Sequence, residues 1–291
     1  MVGETRPGGM SMAPWSERIR AVAERALACG ALEPIATEAL ERHEQGFPFV
    51  LRWVSTLAHK PHPRNDAGRN PFLPPEPELT VGALGKRHLV VLNKYPVFAG
   101  HTLIVTREFE PQTAPLSGDD FLAWHALLAE GGLGFYNGGE IAGASQPHRH
   151  LQWLPEGHLG ENQLRAFLPP GETGWAELPW AAWREPLPMH TESAAWAAAA
   201  RRAYRAALAS MGWHDEAPQL PPYDLLLRLD RLFFIPRRVE RLAGVSVNAL
   251  GYAGSLFAAS PEKLRALAAL DLVAGLCTLG RPRAELASGK R

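Results

Sequence analysis

Two stretches of this chain are apolar runs doubled back on themselves. "HLVVLN" and "HTLIVT" flank "KYPVFAG", a connection punctuated by Pro96 and Gly100. "YDLLLRLDRLFFIPRR" reverses direction near Leu229 to Arg231. Strands joined by short reversals pair antiparallel, because a parallel pair needs a crossover of a dozen or more residues. Helical patterns are interspersed with these hairpins. The combination predicts an α+β fold built on an antiparallel sheet with flanking helices, and argues against a doubly wound parallel one.

Four segments carry helical periodicity. "WSERIRAVAERALACG" places Ile19, Val22, Ala23 and Ala26 on one face, with Ser16 as the expected cap and Gly30 as the stop. "LSGDDFLAWHALLAEG" has Ser117 as its cap and acids in its first turn. "ESAAWAAAARRAYRAALASMG" aligns Trp196, Ala200, Ala203, Ala207 and Met211 as a core face. "SPEKLRALAALDLVAGLCTLG" reads as one closing helix capped by Ser260. "FPFVLRWVSTLAHK" alternates as a strand with Phe49, Leu51 and Trp53 on one side, and "GFYN" is a short strand. Between them, "KPHPRNDAGRNPFLPPEPEL" is a proline-rich surface loop of the long kind that often carries function.

Composition removes several function classes. With 46% hydrophobic residues among 291, the chain can bury a sizeable core. Its formal net charge of +0 gives no broad basic surface for duplex nucleic acid. Cys29 and Cys277, the only cysteines, form neither a zinc motif nor a disulfide framework, which favours a reducing cytoplasm. "MVGETRPGGMSMAPW" lacks the apolar core of a signal peptide, and no run reaches the roughly 18 apolar residues of a membrane helix. The expectation is a cytoplasmic protein without a membrane contact.

The most unusual stretch is "GASQPHRHLQWLP". His148, His150 and Gln152 stand on alternate positions, so a strand would present all three on one face, with Arg149, Leu151 and Trp153 on the other. An imidazole, with an ordinary pKa of about 6.5, is nucleophilic near neutral pH and can attack phosphorus. It then needs a fixed tautomer and hydrogen-bond donors around the phosphoryl oxygens. Gln152 offers an amide donor without a negative charge. The preceding turn offers the N–H groups of Ser145 and Gln146, and Gly143 and Ala144 allow close approach. Read alone, histidines on an ordinary edge strand are usually surface or satisfied core residues, and the H-x-H spacing suits a metal site nearly as readily as a nucleophile. His62, His88, His101 and His125 read as structural or exposed residues.

The wider text narrows these alternatives. His148-Arg149-His150-Leu151-Gln152 resembles the H-x-H-x-Q signature of the nucleotidyltransferase branch of the histidine-triad superfamily. "NPFLPPEPEL", "LNKYPVFAGHTLIVTREFEPQ", "FYNGGEIAGASQPHRHLQ" and "SVNALGYAGSLF" are similar, in the same order, to the diadenosine tetraphosphate phosphorylases, or ATP adenylyltransferases. The resemblance runs from about Phe49 to about Leu276. It implies a histidine-triad-like catalytic region over 1–160 and a C-terminal adenylyltransferase region over 161–291, packed as one unit, with the latter completing the nucleotide site.

The resemblance also implies roles. His150 would be the nucleophile that becomes adenylylated, and Gln152 would contact the transferred phosphoryl group. Gly143, Ala144, Ser145 and Gln146 would form the phosphate-binding turn. Asn93, Lys94 and Asn137 would contact nucleotide, Lys60 would reach the polyphosphate, and Asn248, Ala249, Leu250 and Ser255 would come from the C-terminal segment. Diadenosine tetraphosphate, ATP, ADP and phosphate are the implied ligands, with a divalent cation, Mg2+, escorting the polyphosphate. A dinucleoside polyphosphate hydrolase and a non-catalytic nucleotide sensor are the competing readings. One departure stands out: "SLFAAS", after "NALGYAG", has no lysine before Lys263, where the fungal members imply a phosphate contact.

Overall fold

A computed structural model describes residues 13–54, 69–168 and 178–282. Its centre is an eight-stranded sheet in which every neighbouring pair is antiparallel. The expected hairpins are both present. β4 (His88–Leu92) pairs with β5 (Thr102–Thr106), and β9 (Tyr223–Arg228) pairs with β10 (Arg231–Pro236). β3 (Thr80–Leu84), β6 (Leu133–Gly138), β7 (His150–Leu154) and β8 (Trp183–Pro186) complete the order β3-β4-β5-β7-β6-β9-β10-β8. The sheet therefore draws strands from both sides of residue 160. β7 is an interior strand between β5 and β6, and all five of its residues are buried.

One face of this sheet is covered by α1 (Trp15–Ala28), α2 (Gly118–Leu128) and α4 (Ser193–Ser210). Ile19, Val22, Phe121, Trp124, Trp196 and Ala200 form a core there with Leu151 and Trp153 of β7. Trp196, Ala200, Ala203 and Ala207 are buried as expected, and Met211 is half-buried at the rim. The other face lies under a three-stranded sheet, in which β2 (Phe47–Val54) is flanked by β1 (Thr37–Glu44) and, in parallel, by β13 (Ser255–Ala258), which follows a two-stranded hairpin of β11 (Arg241–Leu242) and β12 (Val245–Ser246). α3 (Glu161–Phe167), α5 (Pro261–Ala268) and α6 (Leu272–Leu279) join it. Phe49, Leu51, Phe135, Leu154, Phe167, Leu250 and Leu276 make this second core. The hydrophobic alternation along β7 thus divides two cores, and the polar side chains His150 and Gln152 emerge on the second side.

Two expected helix boundaries are corrected. Ser16 lies inside α1, and Pro14 occupies the cap position without a side-chain bond. The orphan N–H groups of Trp15 and Ser16 are instead held by the Glu130 carboxylate, at 2.6 and 2.8 Å, a favourable placement of negative charge at a helix N-terminus. The closing helix is two helices. Ser260 caps α5 as expected, and the chain then restarts at Asp271, whose side chain accepts from Ala274 N–H at 2.9 Å. Glu44 on β1 also accepts from Leu272 N–H, at 2.6 Å, so the break is fixed from the three-stranded sheet. Ser117 caps α2 as expected, in a reciprocal box with Asp120.

Candidate active site

His150 opens β7 and is 4% exposed. Its Nδ1 lies 2.8 Å from the His148 carbonyl oxygen. A carbonyl only accepts, so Nδ1 carries the proton and Nε2 keeps a lone pair. No described residue hydrogen-bonds to that Nε2. Burial pushes the His150 imidazole down to about 4, against the small opposing effect of the His148 carbonyl. The ring is therefore neutral at physiological pH, with one nitrogen free to react.

The backbone around His150 is clamped. Gln112 accepts from His150 N–H at 2.9 Å through Oε1, and its Nε2 donates to the Asn137 carbonyl at 2.8 Å. Gln112 N–H in turn donates to Pro147 O at 2.7 Å, and Arg149 N–H to Glu110 O at 2.7 Å. The Arg149 side chain points into the first core, as the alternation predicts. It is buried, donates to Glu110 and Asp120 at 2.7 and 3.0 Å, and also to the carbonyls of Ala114 and Pro115. Asp120 is held on its other side by His88 Nε2 at 2.8 Å, so His88 is structural, as expected. Burial alone would raise the Asp120 carboxyl. The His88 bond and the Arg149 charge outweigh it and hold the group below its ordinary value.

His148 precedes the strand. It is joined to Pro111 by an isolated bridge. Its ring is fully buried with both nitrogens engaged. Asn70 Nδ2 donates to Nδ1 at 2.8 Å, and Nε2 donates to Thr106 O at 2.9 Å, with Thr106 Oγ1 at 2.8 Å. His148 thus acts on the site through its carbonyl, which fixes the His150 tautomer. Phe72 packs on both imidazoles, with ring centroids 5.5 Å from His148 and 5.6 Å from His150. Asn70 and Phe72 belong to the proline-rich loop singled out in the sequence.

The other site residues fall into three groups. Gln152, 7% exposed, projects from the same face of β7 and accepts from His101 Nε2 at 3.0 Å. Asn93 donates to His101 Nδ1 at 2.9 Å, which ties Asn93 and His101 to Gln152. The 139–146 turn is held by Ala142, Gly143 and Ala144 N–H bonds to Gly139 and Glu140 carbonyls, while the N–H groups of Ser145 and Gln146 bond to no described residue. Gly143 has φ +89°, and a Cβ there would lie 2.8 Å from Asn248 Cβ. Only glycine allows the turn to seat against the C-terminal segment. Asn137 Oδ1 accepts from Ala249 N–H at 3.0 Å, and Asn248 caps Leu250 N–H at 3.1 Å, so Asn137, Asn248, Ala249 and Leu250 are brought together.

Two further residues bond to partners outside this cluster. Lys94 pairs with Glu76 at 2.9 Å on the partly exposed rim. Ser255, buried on β13, accepts from Gln163 of α3 at 3.1 Å. Lys60 and His62 lie outside the described residues. Sequence reasoning missed Asn70, Phe72, Gln112 and His101. All four lie in motifs it quoted, but nothing in their spacing separates a clamp from a loop.

Comparison with known proteins places the chain in a family. The family described as "Ap4A phosphorylase N-terminal domain" matches residues 9–165, and "ATP adenylyltransferase C-terminal domain" matches residues 176–282. The chain belongs to the Ap4A phosphorylase family. Within that family, Protein APA1 of Saccharomyces cerevisiae is 29% identical over 266 residues, covering 80% of this chain and 83% of that protein. Diadenosine 5',5'''-P1,P4-tetraphosphate phosphorylase 2 of the same yeast is 28% identical over 256 residues, covering 75% and 78%. The crystal structure of yeast Ap4A phosphorylase Apa2 in complex with Ap4A superposes with a TM-score of 0.72 at 23% identity, covering 92% of this chain and 97% of that one. At that identity the likeness is one of fold.

Proposed function

We propose that this member of the Ap4A phosphorylase family is an ATP adenylyltransferase that cleaves diadenosine tetraphosphate with phosphate, giving ATP and ADP. The observation that carries this reading is the His150 imidazole, neutral, with Nδ1–H fixed on the His148 carbonyl and Nε2 bonded to no described residue. Nε2 attacks the α-phosphorus, an N–P bond forms, and the P–O bond to the leaving polyphosphate breaks with its electron pair, releasing ATP. The adenylylated ring is cationic, and the His148 carbonyl stabilises its Nδ1–H. A phosphate oxygen then attacks the same phosphorus, the N–P bond breaks, and ADP leaves with His150 restored. The N–H groups of Ser145 and Gln146, which bond to no described residue, and the Gln152 amide are suited to the phosphoryl oxygens.

The divalent cation is proposed as part of the polyphosphate substrate. Among the described residues no group of three or more His, Cys, Asp or Glu is placed to hold a metal. Among them, too, no helix is long and apolar enough to cross a membrane. The scarcity of cysteines, two in 291 residues, suits the cytoplasmic placement.

The test is product analysis with diadenosine tetraphosphate. ADP formation that requires phosphate supports the reading, and AMP formed without phosphate makes the protein a hydrolase. Nucleotide binding without turnover makes it a sensor. In parallel, α-labelled ATP should leave acid-labile, base-stable label on the wild type and none on His150→Ala. Equal labelling of the variant removes His150 from the role.

A further inference from the structure

Gln152 is useful to a phosphoryl group only if its amino end faces the substrate, because its carbonyl end would repel the same oxygens. Nothing in an isolated glutamine decides which end faces which way. Here the decision is traceable to a main-chain amide. Tyr95 N–H, which can only donate, bonds to Asn93 Oδ1 at 3.2 Å. That fixes Asn93 with its Nδ2 toward His101 Nδ1, 2.9 Å away. Nδ1 must then accept, so the His101 proton sits on Nε2. Nε2 donates to Gln152 Oε1 at 3.0 Å, and the Gln152 amino end is turned away from His101, with no hydrogen bond to a described residue. Gln152 and His150 lie two residues apart on the same face of β7, roughly 7 Å along the strand.

The same device occurs a second time. Asn70 Oδ1 accepts from Phe72 N–H at 2.9 Å, Asn70 Nδ2 donates to His148 Nδ1, and His148 Nε2 donates onward to Thr106 O. In each copy an asparagine bonds the N–H of an aromatic residue two positions on, and so sets the tautomer of a distant histidine. One copy serves His150 through the His148 carbonyl, and the other serves Gln152.

We propose that Asn93 and His101 are positioning residues that hold the Gln152 amide with its amino end toward the transferred phosphoryl group. This rests on the reading of His150 as the nucleophile. His101→Phe keeps a ring against Phe135, whose centroid is 5.6 Å from that of His101, and removes the donor. His101→Gln returns a donor at a similar reach.

The experiment is single-turnover adenylylation with α-labelled ATP in a double-mutant cycle against Gln152→Ala. His101→Phe should slow labelling by about 10- to 100-fold, with nucleotide affinity within about threefold of wild type, and His101→Gln should recover most of the rate. In the Gln152→Ala background, His101→Phe should change the rate less than about twofold, because no amide remains to orient. An equal loss in both backgrounds, or no loss in the first, overturns the proposal. If His101→Phe does not accumulate as folded protein, His101→Leu supplies the same comparison. An unlabelled wild type sinks the reading of His150 itself, so the two failures are distinguishable.

Discussion

The sharpest consequence of the site geometry is the position of the acid limb. An exposed imidazole loses its lone pair to a proton as pH falls through about 6.5. His150 instead sits at about 4, because burial disfavours the cation. The difference corresponds to roughly 3 kcal/mol against protonation. At pH 5.5 an imidazole at about 4 is about 97% neutral, and one at about 6.5 is about 9% neutral. The phosphorolysis kcat/KM, which reports the free enzyme, should therefore fall by less than about twofold between pH 7.5 and pH 5.5. Diadenosine tetraphosphate is the right substrate for this measurement. It has no terminal phosphate to titrate in that range, whereas ATP does. Bound polyphosphate favours the imidazolium, so the acid limb of kcat should lie above that of kcat/KM.

The same burial has a sign in stability. Between about pH 6.5 and about 4 the unfolded chain takes up a proton at His150 that the folded protein refuses. Stability contributed by this group is full above the unfolded value and falls as pH drops through that window. His150→Ala escapes this loss. Its stability relative to wild type should rise by up to roughly 3 kcal/mol between pH 7 and pH 4, read by urea unfolding. A tenfold loss of kcat/KM by pH 5.5, or a pH-independent difference between the two proteins, refutes the argument from burial.

Two further outcomes test the support beneath the site. Arg149→Met should destabilise the protein by about 3–5 kcal/mol, since it strips one partner from the buried Asp120 carboxylate. Thermal unfolding would expose the error if the midpoint moved by only a degree or two. Gly143→Ala forces a Cβ at φ +89° to within 2.8 Å of Asn248 Cβ. It should cost about 1–3 kcal/mol and weaken nucleotide binding in calorimetric titration, and unchanged affinity would show that the seating of the turn against Asn248 does not matter to the ligand.

The hairpins β4–β5 and β9–β10 were legible because apolar runs, prolines and glycines mark them directly. β1 was not. "TEALERHE" is made of good helix formers and its side chains are mostly exposed, yet it pairs with β2 along all eight residues. Tertiary pairing overrode local propensity there. The break between α5 and α6 was hidden for a related reason, since Asp271 reads as a surface residue of one helix until Glu44 is seen to cap the second half. In the site, His150 and Gln152 were legible from their alternation. His101 was not, because its relation to Gln152 spans 51 residues and depends on the register of β5 against β7.

That register also sorts charge from neutrality across the sheet. On the first-core side, His88 meets a carboxylate, and Arg149 meets two. On the side of His150, the partners of the imidazoles are amides, carbonyls and a hydroxyl: Asn70, Thr106 and the His148 carbonyl for one pair, Asn93 and Gln152 for His101. Asp224, on that side of β9, is paired with the buried Arg237. Amides fix a tautomer without stabilising a positive ring, and they add no negative charge to repel a polyphosphate. A carboxylate in place of Asn70 would accept from His148 Nδ1 rather than donate to it. It would release Nε2 from its duty to donate to Thr106, and so loosen the carbonyl that holds the His150 proton. The choice of asparagine over aspartate at Asn70 and Asn93 thus follows from the same requirement as the burial of His150: a nucleophile that is neutral, oriented and approached by an anion.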